Sequence, residues 1–362
     1  MKAAFPLLAT TALALPSALW AQGTSGIEFY GHFNPAWQSV DDGGQTKDTF
    51  VDNSNSNSRF GFNVTGDLGD TGNSFLFNFE TGLGFRQSGA VSQLSEPDFW
   101  DIKRTDLRKF EAIFSTGYGT FYAGQGSMAS DGVVGSDFTG VGVVAGSAIG
   151  DQAGGFQFRD TGGTLSGIAI SDVFKNFDGS RRFRLRYDTP QYGGFKVAAA
   201  YGIEVLTSGD DRDFYDLAVY YSDTFGDVEF AASAGYSDTS DSNAGAYAGS
   251  AGILHTPSGV SFTLIAGGAD TDASYAMARL GLERTFTSWG STAAALDYYA
   301  GQDFDTSGSD SDLWGVSFVQ KIDAANMELY AGYRDYSFSD TSGTLYQDMD
   351  SWLLGARWKY DF

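Results

Sequence analysis

Hydrophobic and polar positions alternate along most of the chain. In the segment IEFYGHFNPAWQ, Ile27, Phe29 and Phe33 fall on one face and His32 falls on the other, and the segment at 74–86 repeats the pattern. A period of two residues is that of a β-strand, whose successive side chains point to opposite faces. No long stretch follows the 3.6-residue period of a helix. The pattern therefore predicts an all-β protein.

Two kinds of connection alternate between these predicted strands. One is a tight turn of a few residues, such as TFGD at 224–227 and PSG at 257–259. The other is long and rich in Asp, Ser, Gly and Asn, and it occurs at 39–57, 87–105, 205–212, 238–244, 303–312 and 339–348. Short turns at one end and long loops at the other are typical of outer-membrane barrels. The spacing predicts about sixteen antiparallel strands, an even number as in single-chain bacterial barrels.

The last predicted strand indicates what surrounds the barrel. In DSWLLGARWKYDF, Trp352, Leu354 and Trp358 share a face with two further aromatic residues, whereas Arg357 and Lys359 lie on the other face. In water, such a face would form an exposed apolar patch unusual for a monomer. Lipid removes this conflict, so the pattern predicts a transmembrane β-barrel.

The first 21 residues, MKAAFPLLATTALALPSALWA, have the pattern of a secretory signal peptide. A lysine precedes an apolar run, and small residues precede the expected cleavage site. We therefore predict a signal peptide over 1–21 and a barrel domain over 22–362. No later run of apolar residues is long enough to predict a membrane-spanning helix.

Composition narrows the chemistry that is available. Cysteine is absent from the 362 residues, so disulfides and thiol nucleophiles are excluded. The 48 glycines, 30 phenylalanines and 19 tyrosines are typical of short strands and tight turns. The formal net charge is −23, and much of the acid lies in the long loops. Because a vestibule of one sign concentrates counter-ions, we predict a weak preference for cations.

The stretch 126–180 is far longer than an ordinary loop, and such length usually signals function or disorder. Within it, GFQFRDTGGTLSGIAIS has the pattern of a short hairpin. A hairpin inserted in the wall would raise the strand number to eighteen. We favour sixteen strands, with this segment folded into the lumen.

Short motifs resemble those of general bacterial porins. YGTFYAGQG at 118–126 is similar to the strand that leads into the long third loop of that family, and RYDTPQYGGFKVAAAYG at 186–202 is similar to its Arg-Tyr-Asp-Ser-Pro hairpin. SRFGF, FYGHF and the terminal Phe362 fit the second, first and last strands. The resemblance implies a homotrimer in the outer membrane of a Gram-negative bacterium, with a water-filled pore in each barrel for small hydrophilic solutes. It further implies contact with lipid and lipopolysaccharide, recognition of Phe362 by the barrel assembly machinery, and no role for nucleic acid.

The resemblance also implies a pore constriction, at which acidic residues of the third loop face basic residues of the wall. In RRFRLRYD, three arginines share the inward face of one strand, which makes them candidates for that wall. The basic candidates are Arg59, Arg86, Lys109, Arg182, Arg184 and Arg186, and Arg357 also points inward. The acidic candidates are Asp131, Asp137 and Asp151. The loop has SDFTG where the family commonly has Pro-Glu-Phe-Gly, so the sequence does not decide which aspartate is nearest the narrowest point.

Other functions are weaker interpretations of the sequence. Serine hydrolysis needs a histidine beside a serine and a third group that orients it, and the chain has only His32 and His255. Asp303 and Asp305 begin like a calcium loop, but the twelfth position is Trp314 rather than glutamate. Ca²⁺ or Mg²⁺ at acidic loops thus remains a minor expectation. A structural or adhesive barrel and a substrate-specific channel are the alternatives to a general diffusion pore.

Overall fold

The computed structural model describes residues 26–69, 72–240 and 245–361, and these form an antiparallel β-barrel. The predicted signal peptide and Phe362 lie outside the described residues. The strands are β1 Gly26–Phe33, β2 Pro35–Asp41, β3 Thr46–Asp52, β4 Arg59–Asp67, β5 Ser74–Gly82, β6 Leu107–Thr116, β7 Gly119–Ser127, β8 Gln157–Arg159, β9 Leu165–Ala169, β10 Arg181–Asp188, β11 Phe195–Ile203, β12 Asp213–Phe225, β13 Val228–Thr239, β14 Ala246–His255, β15 Val260–Ala269, β16 Ser274–Thr287, β17 Gly290–Gln302, β18 Asp310–Ile322, β19 Met327–Ser339 and β20 Met349–Asp361, and one short helix, α1, spans Ile170–Val173. No helix among these residues is long and apolar enough to cross a membrane.

The wall has sixteen strands, which confirms the predicted number. Eighteen segments pair in one sheet, but β1 and β2 are two halves of the first wall strand, and β3 and β4 are two halves of the second. Each other wall segment pairs with its neighbours in the chain, and β20 pairs with both β1 and β2 to close the barrel. Strands β8 and β9 pair only with each other, so the hairpin in 126–180 is not part of the wall.

The first two wall strands are interrupted at the same level. Asn34 separates β1 from β2, and a 3₁₀ turn at Ser54–Ser56 lies between β3 and β4. The backbone N–H of Asn34 donates to Ser58 Oγ at 2.8 Å, and the Asp52 carboxylate accepts from the backbone N–H of Ser58 at 2.8 Å. Side chains thus replace the missing ladder bonds. The region 39–57, predicted as a loop, is largely a hairpin formed by β2 and β3.

Alternating exposure along the strands matches the predicted lipid and lumen faces. On β12, Tyr215, Leu217 and Val219 are all more than a third exposed, whereas Asp216 and Ala218 between them are buried. Outward side chains contact lipid, and lipid favours apolar groups there. The alternation therefore reports the two faces of a membrane-spanning wall.

The connection between β7 and β10 covers residues 128–180 and is called the third loop below. Its contacts run around the inner face of the wall: Ser130 binds Asp216 on β12, Ser136 binds Ser250 on β14, and Gln152 binds Ser351 on β20. Further on, the Asp160 backbone bridges to Tyr346, between β19 and β20. The loop thus packs against inward-facing residues from β12 to β20.

Apolar packing fixes the third loop in place. Val144, Ile149 and Phe156 of the loop are almost completely buried, in one cluster with wall residues such as Tyr299 and Leu353. Burying one large apolar side chain contributes about 1.5–3 kcal/mol. The third loop therefore shares a buried apolar core with the inner face of the wall.

Candidate functional site

Three basic residues of β4 and β6 surround one carboxylate, that of Glu80, and two of them, Arg59 and Lys109, are predicted from the sequence. Arg108 Nε donates to Glu80 Oε1 at 2.6 Å, and Arg59 Nη1 lies 3.5 Å from the same oxygen. Lys109 is opposite Glu80 in the strand register. Asn57 Oδ1 accepts from both arginines, at 2.9 and 3.2 Å. We call Arg59, Arg108 and Lys109 the basic cluster, because one glutamate cannot neutralise three cations.

Arg108 is a member that the sequence analysis missed. Strict alternation places Arg108 on the lipid face beside Phe110 and places Lys109 inside. The register shifts next to Glu80, and Arg108 is the extra residue of a β-bulge, so both basic side chains point inward. Bulges re-aim side chains in this way. A signal was present: an arginine facing lipid costs about 2–4 kcal/mol at the midplane, which makes an outward Arg108 implausible.

Arg184, the middle arginine of the predicted series on β10, is buried rather than exposed to the lumen. Its side chain is 1% exposed and forms an ion pair with Glu111 on β6. Its guanidinium also donates to the carbonyl oxygens of Gly124 and Ser127 at 2.9 and 3.0 Å. Arg184 therefore joins β6, β7 and β10 together and does not line an open passage, contrary to the expectation from its inward position.

The other two arginines of β10 differ from Arg184 and from each other. Arg186 binds Asp188 through two nitrogens, at 2.6 and 2.9 Å, and Lys196 binds the same carboxylate at 3.0 Å. Arg182 is 19% exposed and lies 3.6 Å from Glu204. Of the three, Arg182 is the most exposed and has the longest ion-pair distance.

Asp137 lies on the third loop but away from the arginines of β10. Its carboxylate accepts from Arg279 Nη1 at 2.6 Å, and Arg279 Nε donates to Asp297 at 2.6 Å. Arg279 and Asp297 are almost completely buried. The expectation that Asp137 faces Arg182, Arg184 and Arg186 is thus wrong, because the loop brings it to β16 instead. The ion pairs of Arg279 with Asp137 and Asp297 thus attach the third loop to the wall.

Asp131 is the predicted acid whose charge interacts with both Arg108 and Arg182. Asp178, at the other end of the third loop, accepts from the Gly132 N–H at 3.0 Å. Burial and the neighbouring Asp131 raise the pKa of Asp178 to about 7. The two ends of the loop therefore bring Asp131 and Asp178 close together, and Asp178 is an acidic residue that the sequence analysis did not single out.

The remaining predicted site residues lie elsewhere. Burial raises the pKa of Asp151 to about 6, and its charge interacts with Arg334 and Arg108. Arg86 lies between β5 and β6, bound to Glu96 and to the Pro97 carbonyl, and is not part of the basic cluster.

Arg357 points inward from β20. It binds Glu328 at 2.6 Å and Ser56 Oγ at 2.8 Å. Its charge repels that of Arg59. It therefore extends the basic side of the lumen, although its own charge is balanced by Glu328.

Both histidines have local roles. His32 Nε2 lies 2.9 Å from the Asn57 carbonyl oxygen, inside the barrel. His255 Nδ1 lies 2.8 Å from Ser258 Oγ, but this pair spans one tight turn whose N–H groups bond to the His255 carbonyl. Within the described residues, no carboxylate hydrogen-bonds to either ring.

In the acidic segment at 303–308, Asp303 Oδ1 accepts from the Gly308 N–H at 2.6 Å. This contact closes the turn between β17 and β18. Among the described residues, no group of three acidic or histidine side chains is arranged to hold a metal ion. The expectation of Ca²⁺ or Mg²⁺ at acidic loops stays a prediction.

The barrel, the inward loop and the basic cluster can be compared with known proteins. A family model described as Gram-negative porin matches residues 9–341. The chain belongs to the Gram-negative porin family. The family indicated by the short motifs is thereby confirmed, and the protein is an outer-membrane porin channel. No curated protein sequence matches this porin.

Solved structures agree with the fold. An anion-selective porin from Comamonas acidovorans is 15% identical, covering 93% of this chain and 100% of its own, with a TM-score of 0.60. The trimer form of OmpT, an outer membrane protein of Vibrio cholerae, is 16% identical over 93% and 100% of the two chains, with a TM-score of 0.54. OprB of Pseudomonas putida is 11% identical over 94% of each chain, with a TM-score of 0.57. At these identities the likeness shows the fold alone.

Proposed function

We propose that this porin lets small hydrophilic solutes and ions diffuse passively through its lumen, and that its constriction favours anions. The basic cluster carries the proposal: three cations share Glu80, and they project from the wall near the start of the third loop, where the charge of Asp131 interacts with that of Arg108. Rings of charged side chains select ions by their sign, and an arginine keeps its charge at any ordinary pH.

The weak cation preference predicted from the net charge has no support from the comparisons. The similar Comamonas protein is an anion-selective porin. The acidic residues that favoured cations lie in outer loops, and their field fades within about 10 Å at 0.1 M salt. Charges at the constriction act on an ion at shorter range, so we give them the larger weight.

The porin is further proposed to work as a homotrimer surrounded by lipid and lipopolysaccharide. The trimer form of the similar OmpT supports this. On this chain, the rings of Phe29, Phe62 and Phe79 follow one another across β1, β4 and β5, with centroids 6.0 and 5.3 Å apart. Such a packed aromatic face suits contact with another barrel or with lipid. Recognition of Phe362 by the barrel assembly machinery stays a proposal.

Replacing Arg108 by Gln tests the proposed anion preference. A unit charge about 5 Å from an ion in water contributes roughly 0.8 kcal/mol, so the ratio of anion to cation permeability should fall several-fold. The Arg59→Gln change should act in the same direction. Reversal potentials in planar bilayers under a salt gradient measure the ratio.

Arg284→Gln is the matched control, because Arg284 is an exposed arginine at the short-turn end of β16. It should leave the reversal potential unchanged. A reversal potential in Arg108→Gln equal to that of the wild type would place the basic cluster away from the ion path. Absence of any conductance in the folded wild-type protein would instead favour a structural barrel.

The anion preference should also depend on pH. As pH falls through about 7, Asp178 takes up a proton and one negative charge beside Asp131 is lost. The anion preference should therefore increase from about pH 8 to about pH 6. Because the folded loop binds this proton more tightly than the unfolded chain, docking of the loop should weaken as pH rises between about 4 and 7.

Asp178→Asn removes the titrating group and keeps its shape. In this variant the reversal potential should change much less than that of the wild type above about pH 7, where Asp151 stays ionised, and should lie closer to the acidic wild-type value. A wild-type pH dependence that persists unchanged in Asp178→Asn would assign the titration to another group.

A further inference from the structure

A polar recess lies where the third loop leaves the wall, beside the ends of β6, β7 and β10 that join long loops. The second loop (83–106) and the fourth loop (204–212) meet next to it, where Arg104 donates to the Leu206 carbonyl at 2.8 Å and to Ser208 Oγ at 3.2 Å. The recess has a volume of about 250 Å³, and the polar groups around it include Asn57, Arg108, Gln125, Arg181, Arg182 and Glu204. Asn57 and Arg108 connect it to the basic cluster.

Arg181 is the unusual residue of this recess. Its side chain makes no hydrogen bond or ion pair with any residue in the described ranges, and its Nε is buried without a partner. Arg59 and Arg108 are close enough for their charges to repel that of Arg181. An unpaired guanidinium among like charges is unfavourable unless an anion neutralises it.

Two atoms of neighbouring side chains also lack hydrogen-bond partners. Arg182 Nε and Gln125 Oε1 are both buried without a hydrogen bond. Two carboxylates line the recess: Glu204 accepts from the Leu206 N–H at 2.7 Å and lies 3.6 Å from Arg182, and Asp106 accepts from the Lys103 N–H at 2.6 Å. Asp131 of the third loop adds a negative charge that Arg108 and Arg182 share. The residues that line the recess therefore offer free donors, and their three arginines outnumber their two carboxylates.

We propose that this recess binds a phosphate group. Guanidinium forks match the geometry of phosphate oxygens, and Arg181 and Arg182 would donate to them while Arg108 adds charge. The side-chain oxygen of Gln125 would accept from the protonated oxygen of hydrogen phosphate. The phosphate belongs either to a solute in transit or to a lipid headgroup. This inference deepens the proposed anion preference by naming the chemical class that the porin retains.

The test measures block of chloride current by inorganic phosphate in planar bilayers, using porin refolded in detergent without native lipid. Phosphate should reduce the current of the wild type in a saturable way. In Arg181→Gln the half-blocking concentration should rise about tenfold or more. Lys103→Gln is the matched control, since Lys103 carries an exposed charge at the same mouth, forms an ion pair with Asp101, and does not line the recess. Phosphate should block the Lys103→Gln channel at the same concentration as the wild type.

A second arm distinguishes the sources of phosphate. If a headgroup occupies the recess, porin extracted from native membranes should carry tightly bound lipid phosphate that Arg181→Gln lacks, and free phosphate should block only after refolding. If a solute occupies the recess, phosphate should block native and refolded porin at the same concentration. Equal block of wild type and Arg181→Gln, with no Arg181-dependent lipid phosphate, overturns the inference. So does an equal loss of block in Lys103→Gln. The anion preference itself would survive either result, because the reversal potential tests it separately.

Discussion

Channels carrying Arg279→Met should conduct more current than the wild type and should fluctuate between levels. Arg279 neutralises Asp137 on the third loop and Asp297 on the wall, and its removal leaves two carboxylates facing each other with little access to water. Breaking a buried ion pair in this way costs about 3–5 kcal/mol. The segment around Asp137 should leave the wall, and the width of the lumen at this level should then vary with time. Single-channel recordings measure the conductance, and limited proteolysis reports the release of residues 128–180.

Two further variants make this prediction specific. Arg284→Met removes an exposed arginine on the same strand and should leave the conductance unchanged. The triple variant Arg279→Met, Asp137→Asn and Asp297→Asn removes all three charges together, so it should recover much of the wild-type behaviour. Wild-type conductance and protease resistance in Arg279→Met alone would show that apolar packing is sufficient to hold the loop.

Arg184→Met should destabilise the barrel without changing its ion preference. The substitution leaves Glu111 buried without a cation and removes donors from two carbonyl oxygens. The expected loss is about 3–5 kcal/mol, seen as a lower temperature at which the folded form converts to the unfolded form on gels. Channels that do fold should show the wild-type reversal potential, because Arg184 has almost no access to the lumen.

Arg182 provides the contrast on the same strand. Arg182→Met removes a partly exposed arginine, so its effect on stability should be small, and its effect on the reversal potential should exceed that of Arg184→Met. The opposite result, a changed ion preference with unchanged thermal stability in Arg184→Met, would show that Arg184 lines the pore.

The barrel could be predicted because lipid constrains every second residue of its wall. Leu217 and Asp216 on β12 show the rule: the outward neighbour is apolar and the inward neighbour is polar. The rule weakens beyond the lipid. Residues 39–57 look like a polar loop, although most of them form the β2–β3 hairpin, because strands outside the membrane need not carry apolar side chains.

The site was only partly predictable. Alternation correctly places Arg59 and Lys109 on the inner face, next to Glu80, but it assigns Arg108 to lipid because a bulge leaves no mark in the period. Which acid meets which base depends on the path of the third loop. Asp137 and Arg279 are 142 positions apart, and nothing local in either segment predicts their contact.

The third loop has a consequence for the order of assembly. Its side chains are buried against strands that follow it in the chain, and the bond from Gln152 to Ser351 spans 199 positions. Contacts between such distant positions form late, because a long stretch of chain must first be ordered. Until the final strands are in place, the valines of this loop have no surface on which to pack. Closure of the barrel should therefore precede docking of the third loop, which fixes the width of the pore. A chain that stalls before closure should leave the apolar third loop exposed to proteases and chaperones.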